Sequence, residues 1–370
     1  MTRAVRIPVL SIIPGIGAAV RAQLAQPTAD SSVHELFASG QLEIVDMPLP
    51  TLAAQVDLAA AVDASKPAVP TWELTPSQEE ALEEAEIVFM DAHLAAPLLL
   101  AGKANLPFEK QQLLKKVAWV QGTYAGVDVY MKYADKAKPP AFTVTRAGGI
   151  MPTALAQFVF GWIVALERKF FEARAFQDQR VFARWELKYR PYSQLTVGIL
   201  GLGEIGQEIG RSLKASRFQV VGFKRRLSPT DADALKDKAD RVTNDLSDVL
   251  RQSDYIINVL PSTPATQNLL TRESLAKPVF INVGRGDVIS EADIVAALDE
   301  GLLSRAVLDV FEQEPLPQDA KLWGHPNVTL TPHISGTVFP EDVAAVMVEN
   351  LARYLRREPL EYKLDWASGY

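Results

Sequence analysis

Short apolar runs alternate with helix-length amphipathic stretches along almost all of this chain, and that alternation leaves few folds open. A first series occupies residues 7–13, 42–47, 86–90, 117–121 and 142–145. A second occupies 195–200, 218–223, 255–260, 279–283, 306–310 and 328–330. The runs are rich in β-branched or aromatic residues and closed by polar or turn residues, as strands covered on both faces are. Strands alternating with helices build βαβ units, whose right-handed crossovers give parallel sheets. The pattern therefore predicts an α/β protein with two doubly wound parallel-sheet domains, and 370 residues suffice for two cores.

Four stretches between the runs add detail. The first 29 residues carry Arg3, Arg6 and Arg21 and no acidic residue, as a targeting segment does. Pro14-Gly15 closes the run before them as a strand-to-helix turn would, so a first strand is the preferred reading. Residues 51–76 are rich in Ala and Pro and read as an insertion with a helical piece. Pro152 opens a long apolar stretch, 152–182, read as a helix whose apolar face is wider than one core stripe needs. A helix over 290–300 has a capping box of Ser290 and Asp293, with Gly301 ending it.

Directly after the run 195–200 stands Gly201-Leu202-Gly203-Glu204-Ile205-Gly206. In such a turn Gly201 permits the sharp bend and Gly203 lets a pyrophosphate approach the backbone. Gly206 lets the helix pack on the strand, while the helix N-terminus offers amides and positive dipole. This predicts a dinucleotide site; a merely structural tight turn is the alternative. An NAD site places a carboxylate about 20 residues on, for the ribose hydroxyls. Here Lys224-Arg225-Arg226 follow the next strand, which suits a 2′-phosphate. NADP(H) is the preferred cofactor and NAD(H) the alternative, against a reading of the basic loop as merely solvated.

Composition excludes whole classes of chemistry. With no cysteine there is no disulfide, thiolate metal site or cysteine nucleophile. The four histidines, His34, His93, His325 and His333, are too scattered for a multi-histidine metal site, and none is expected. A net charge of −7 offers nothing to nucleic acid or anionic lipid, and no run of about 20 apolar residues spans a membrane. The expected location is the cytoplasm.

Four further segments lie just past predicted strands, where doubly wound sheets bind ligands. They are 259–266, 282–286, 308–315 and 330–336, and they offer Arg285, Glu314 and His333. In order and spacing, these segments and the glycine turn resemble the D-isomer-specific 2-hydroxyacid dehydrogenase family, from about residue 117 onward. Leu316-Pro317, Leu322-Trp323, His325-Pro326, Thr331-Pro332-His333 and the terminal Asp365-Trp366-Ala367-Ser368-Gly369-Tyr370 make it most like the glyoxylate/hydroxypyruvate reductase branch.

The resemblance implies a flavodoxin-like substrate-binding domain over 1–147, completed by 340–370, and a Rossmann NAD(P)-binding domain over 148–339, with the substrate between them. It implies reduction of a small 2-oxoacid to the D-2-hydroxyacid, with His333 as general acid. Glu314 would orient the imidazole and favour its protonated form, and Arg285 would bind the substrate. Backbone amides in the loop Tyr124-Ala125-Gly126 would hold the acid group. Glu204, Ile205, Leu260, Pro261, Thr266, Val283, Gly284, Asp309, His333 and Gly336 would line the cofactor, Asp309 at its nicotinamide end. A homodimer through the cofactor domains is implied too, and would explain the apolar stretch 152–182. His325 reads as structural, within a His-Pro turn.

Two departures stand out: Tyr124 where many relatives have glycine, and Gln157 where glutamate is common. Rival readings are a dinucleotide-sensing, corepressor-like scaffold and a dehydrogenase of the same fold for another acid, of the D-lactate, formate or phosphite type.

Overall fold

A computed structural model describes residues 4–27, 31–50, 72–100, 111–135 and 138–370. Most of the expected insertion, residues 51–71 with any helical piece there, lies outside the described residues. Chain contacts divide the protein into two units, Met1–Ile150 with Val338–Tyr370, and Met151–Thr337. The segment 148–150 and Val338–Phe339 thus group with the first unit, whereas the domain boundaries expected from the resemblance fell at 147/148 and 339/340.

In the first unit, β1 (Val5–Leu10), β2 (Leu42–Asp46), β3 (Ile87–Met90), β4 (Trp119–Gly122) and β5 (Thr143–Thr145) form one sheet in the order β2-β1-β3-β4-β5. All four pairings are parallel. That order is the flavodoxin-like one, reversing direction between β1 and β3. Every residue of β3 and β4 is buried, as central strands covered on both faces are. The helix Pro340–Leu355 returns from the far end of the sequence and buries Val343, Ala344, Met347 and Leu351 in this core. Its Asn350, fully buried, donates from Nδ2 to Oε1 of Gln121 on β4 at 2.9 Å, so the insertion of a polar residue is satisfied.

The second unit carries β6 (Thr196–Leu200), β7 (Gln219–Phe223), β8 (Arg241–Thr243), β9 (Tyr255–Asn258), β10 (Val279–Asn282), β11 (Arg305–Leu308) and β12 (Val328–Leu330). They form one sheet ordered β12-β11-β10-β9-β6-β7-β8, parallel throughout. The strand order reverses between β6 and β9, which opens a crevice at their carboxyl ends, as in Rossmann folds. Strand β8 was not anticipated. It is a three-residue edge strand, Arg-Val-Thr, with no fully buried residue and hence no apolar signature.

Two local expectations need correction. The stretch 152–182 is two helices, Pro152–Glu167 and Phe170–Asp178, broken at Lys169 with a left-handed φ of 52°. The first buries Leu155, Ala156, Val159 and Ile163 on one stripe; the second buries nothing. The excess apolar surface therefore belongs to the later segment: Phe170, Phe171, Phe182, Trp185 and Tyr189 are exposed, Phe182 to 93%. At the helix Glu291–Asp299, Ser290 caps by accepting from the Asp293 amide at 3.1 Å. No return bond from the Asp293 side chain exists among the described residues, because Asp is a methylene shorter than the Glu that completes the box. No described helix is long and apolar enough to cross a membrane.

Candidate active site

The turn after β6 has the geometry its glycines demand. Gly201 sits at φ 102°, and a Cβ on Gly206 would lie 1.9 Å from the Gly201 carbonyl oxygen, so any side chain there would force the turn apart. At Gly203, by contrast, a Cβ would meet nothing within 4 Å. Gly203 opens the helix Glu204–Ala215 with no side-chain cap. The amides of Glu204, Ile205 and Gly206 consequently have no acceptor among the described residues. Open space beside uncapped amides at a helix N-terminus fits the pyrophosphate of a dinucleotide.

Around the turn stand the segments from the neighbouring strands. Leu260 follows β9, and its side chain would be 3.1 Å from a Cβ on Gly201. Gly284 follows β10 and leaves no room for a Cβ, which would fall 2.8 Å from the Leu260 carbonyl oxygen. Two buried amides lock these exits together. Asn258 donates to Asn282 at 2.9 Å, and Asn282 donates to the Arg285 carbonyl at 3.0 Å. Thr266 spends its hydroxyl on the Pro261 carbonyl at 2.6 Å, folding the 259–266 loop on itself. Leu260, Pro261 and Gly284 thus meet at the switch-point crevice, with Val283 buried beneath.

The basic loop holds an acidic partner that sequence order concealed. Asp231 Oδ1 lies 2.7 Å from the Lys224 ammonium, and Oδ2 accepts the Ser228 amide at 2.7 Å. The Lys224 hydrogen bond, the Ser228 amide and the Lys224 charge hold the Asp231 carboxyl below its usual range. Arg225 and Arg226 are exposed and have no ion-pair partner among the described residues.

His333 and Glu314, nineteen positions apart, form a pair with His333 Nδ1 2.7 Å from Glu314 Oε2. Glu314 Oε1 also accepts the Phe311 amide at 3.0 Å, which fixes the carboxylate on its own loop. The hydrogen bond to Glu314 raises the His333 pKa above the ordinary histidine value, with the Glu314 charge adding to it; burial and the Arg285 charge oppose without winning. Burial pushes Glu314 up, but His333, the Phe311 amide and Arg285 together bring it below the ordinary value. Arg285 therefore acts electrostatically on both members of the pair. Its guanidinium also donates to the Gly284 carbonyl at 2.7 Å. The three residues assembled from separate segments share one electrostatic neighbourhood.

Asp309 is fully buried, and its carboxylate is occupied by the chain itself. Thr331 Oγ1, Ile334 N and Ser335 N donate to it at 2.6, 2.9 and 2.8 Å. These three bonds tie the 331–335 loop to the end of β11. Gly336 packs against Met151 and Leu155, where a Cβ would come within 2.8 Å of each side chain. His325 sits in its turn as expected, accepting the Asn327 amide at 3.2 Å and facing Asp299.

In the first unit, Thr123 is buried, the Tyr124 carbonyl accepts the Ala147 amide at 3.0 Å, and the next two amides, Ala125 and Gly126, have no acceptor among the described residues. Burial, with the nearby Asp91 charge, pushes the Tyr124 hydroxyl up to about 12, so it is a neutral donor at neutral pH.

Residues 160–335 match the family model described as D-isomer specific 2-hydroxyacid dehydrogenase, NAD binding domain. Glyoxylate/hydroxypyruvate reductase A of Salmonella typhimurium is 31% identical over 266 residues, 69% of this chain and 82% of that protein. The chain belongs to the D-isomer-specific 2-hydroxyacid dehydrogenase family. The match to the reductase of the same name from Klebsiella pneumoniae, 33% identical over 202 residues, spans only 63% of that protein. A family member from Aeromonas salmonicida has a solved structure that superposes with a TM-score of 0.72 at 31% identity, covering 99% of this chain and all of that one. An NADPH-dependent glyoxylate/hydroxypyruvate reductase from Sinorhizobium meliloti, solved with NADP and sulfate, gives 0.71 at 25% identity, with 99% of each chain covered. Within this family fold, the features that sequence order did not reveal are Asp231 on the basic loop and the grip of Asp309 on the His333 loop.

Proposed function

We propose that this chain is an NADPH-dependent reductase that converts a small 2-oxoacid, of the glyoxylate or hydroxypyruvate kind, to the D-2-hydroxyacid. The His333–Glu314 pair at 2.7 Å, under the charge of Arg285, carries this reading. Bound NADPH supplies the hydride. Glu314 engages Nδ1 of His333, so Nε2 is the nitrogen that holds the proton destined for the carbonyl oxygen. The hydrogen bond and charge of Glu314, which raise the His333 pKa, favour the protonated form that reduction needs. Arg285 binds the substrate carboxylate and stabilises charge developing on the oxygen. The first unit, where the Ala125 and Gly126 amides have no acceptor among the described residues, is the substrate domain in this reading; the second unit is the cofactor domain.

The preference for NADPH rests on Arg225 and Arg226. Lys224 is neutralised by Asp231, so these two guanidinium groups are the cations left for a 2′-phosphate. The Sinorhizobium reductase, which holds NADP, supports the same choice. The exposed aromatic side chains of Phe170, Phe171, Phe182 and Trp185 support a homodimer in this reading.

The decisive experiment measures initial rates on glyoxylate, hydroxypyruvate, pyruvate and bulkier 2-oxoacids with NADPH and with NADH, in the native chain and in His333→Ala. The expected result is turnover of the smallest acids with NADPH, lost in a folded His333→Ala. Absence of turnover above background for every acid would sink the proposal.

A further inference from the structure

Three neighbouring strand exits of the first sheet converge on one buried carboxylate. Asp91 follows β3 directly and is 1% exposed. Its Oδ1 accepts Ser11 Oγ at 2.6 Å and also accepts the hydroxyl of Thr123, while Oδ2 accepts the Ile12 amide at 2.7 Å. Ser11 and Ile12 follow β1, and Thr123 follows β4, the strands on either side of β3. A carboxylate removed from water is tolerated only where donors replace its hydration, and these three do so. Burial raises the Asp91 pKa while the same three hydrogen bonds oppose it.

Asp91 holds the start of the loop that contains Ala125 and Gly126. Gly122 is pressed against β5, where a Cβ would stand 3.1 Å from the Thr145 carbonyl oxygen. Thr123 is tied to Asp91, and the Tyr124 carbonyl to Ala147. The two amides that follow have no acceptor among the described residues, and consecutive backbone N–H groups of this kind form a nest for an anion. We infer that Asp91, acting through Thr123, is the positioning residue that aims this nest at the substrate carboxylate. The inference rests on the reading of the loop as the carboxylate site. The side chain touches neither substrate nor cofactor; it restricts the loop to one conformation, so that binding does not have to order it.

The test compares Thr123→Val, which keeps shape and loses the hydroxyl, with Thr123→Ser, which keeps the hydroxyl, and with Asp91→Ala, all in the full chain. Steady-state KM values are measured for glyoxylate and for NADPH, and calorimetry measures oxalate binding in the presence of NADP. Thr123→Val and Asp91→Ala should raise the glyoxylate KM and the oxalate Kd on the order of tenfold, as the loss of one positioning hydrogen bond does. Thr123→Ser should stay within about twofold of the native chain, and the NADPH KM should hold within about twofold in all three. If Asp91→Ala fails to fold, Thr123→Val decides alone. Native oxalate affinity in Thr123→Val overturns the inference while leaving the proposed reaction standing, as does an equal loss of NADPH and oxalate affinity. A native chain that neither binds oxalate nor reduces glyoxylate overturns both.

Discussion

Asp309 holds the loop that presents His333. The His333 amide donates to the Asp309 carbonyl oxygen at 3.0 Å, and the next two amides donate to its carboxylate at 2.9 and 2.8 Å. His333 itself is held at φ 52°, a left-handed conformation that costs a non-glycine residue and persists only where neighbours over-determine it. Asp309→Asn replaces one acceptor oxygen by a donor and leaves a buried amide unpaired. We expect a loss of about 1–3 kcal/mol in chemical denaturation. The kcat should fall as well, because the imidazole loses its fixed direction. Unchanged stability would mean that the carboxylate is not the anchor.

The Glu314–His333 pair sets a pH dependence with a definite sign. Reduction requires protonated His333, whose pKa lies above the ordinary value. Activity should therefore be full below that pKa and fall as pH rises through it. In Glu314→Gln the hydrogen-bonded charge is gone, so the fall should begin at lower pH. Oxidation of the hydroxyacid needs the neutral imidazole and should show the opposite slope. The folding contribution has the same direction: a raised pKa adds stability below the unfolded value, and the addition is lost as pH rises through the folded one. It should be small, since the His333 side chain is 52% exposed. A pH–rate profile that is the same in Glu314→Gln and the native chain would refute the coupling.

Gly203 and Gly206 separate folding from cofactor binding. Gly203→Ala places its methyl in open space at an ordinary φ of −74°, so stability should change by less than about 0.5 kcal/mol. The same methyl should weaken NADPH binding, because it stands where the pyrophosphate approaches. Gly206→Ala drives a methyl into the Gly201 carbonyl and should cost about 1–3 kcal/mol of stability. Thermal unfolding and fluorescence titration with NADPH read the two effects. Native NADPH affinity in Gly203→Ala would place the dinucleotide elsewhere.

Arg225→Ala should reduce the preference for NADPH over NADH by roughly tenfold, since one unpaired guanidinium facing a phosphate contributes about 1–3 kcal/mol. Asp231→Asn should move the ratio the other way by releasing Lys224. The ratio of kcat/KM values for the two cofactors is the measurement, and an unchanged ratio in both variants would assign the 2′-phosphate to other residues.

Charging the exposed aromatic surface with Phe182→Glu and Trp185→Glu should convert a dimer to a monomer in sedimentation at micromolar concentration. A native chain that already sediments as a monomer removes the reason for that surface.

Much of this protein was legible from order alone. Apolar runs of strand length mark eleven of the twelve described strands, because strands covered on both faces carry their burial in their own composition. The glycine turn was legible for a similar reason: each glycine answers a local steric demand, as Gly206 does against Gly201. Arg285, Glu314 and His333 were visible as residues past strand ends. What tertiary structure alone decided is which groups meet. Asp231 occupies Lys224 from seven positions away, Asp309 governs a loop more than twenty residues later, and Asp91 joins Ser11 to Thr123 across 112 positions. Periodicity records which face of an element is buried, but a hydrogen bond between distant loops depends on how the strands are ordered. Here the parallel order of each sheet brings those strand exits side by side.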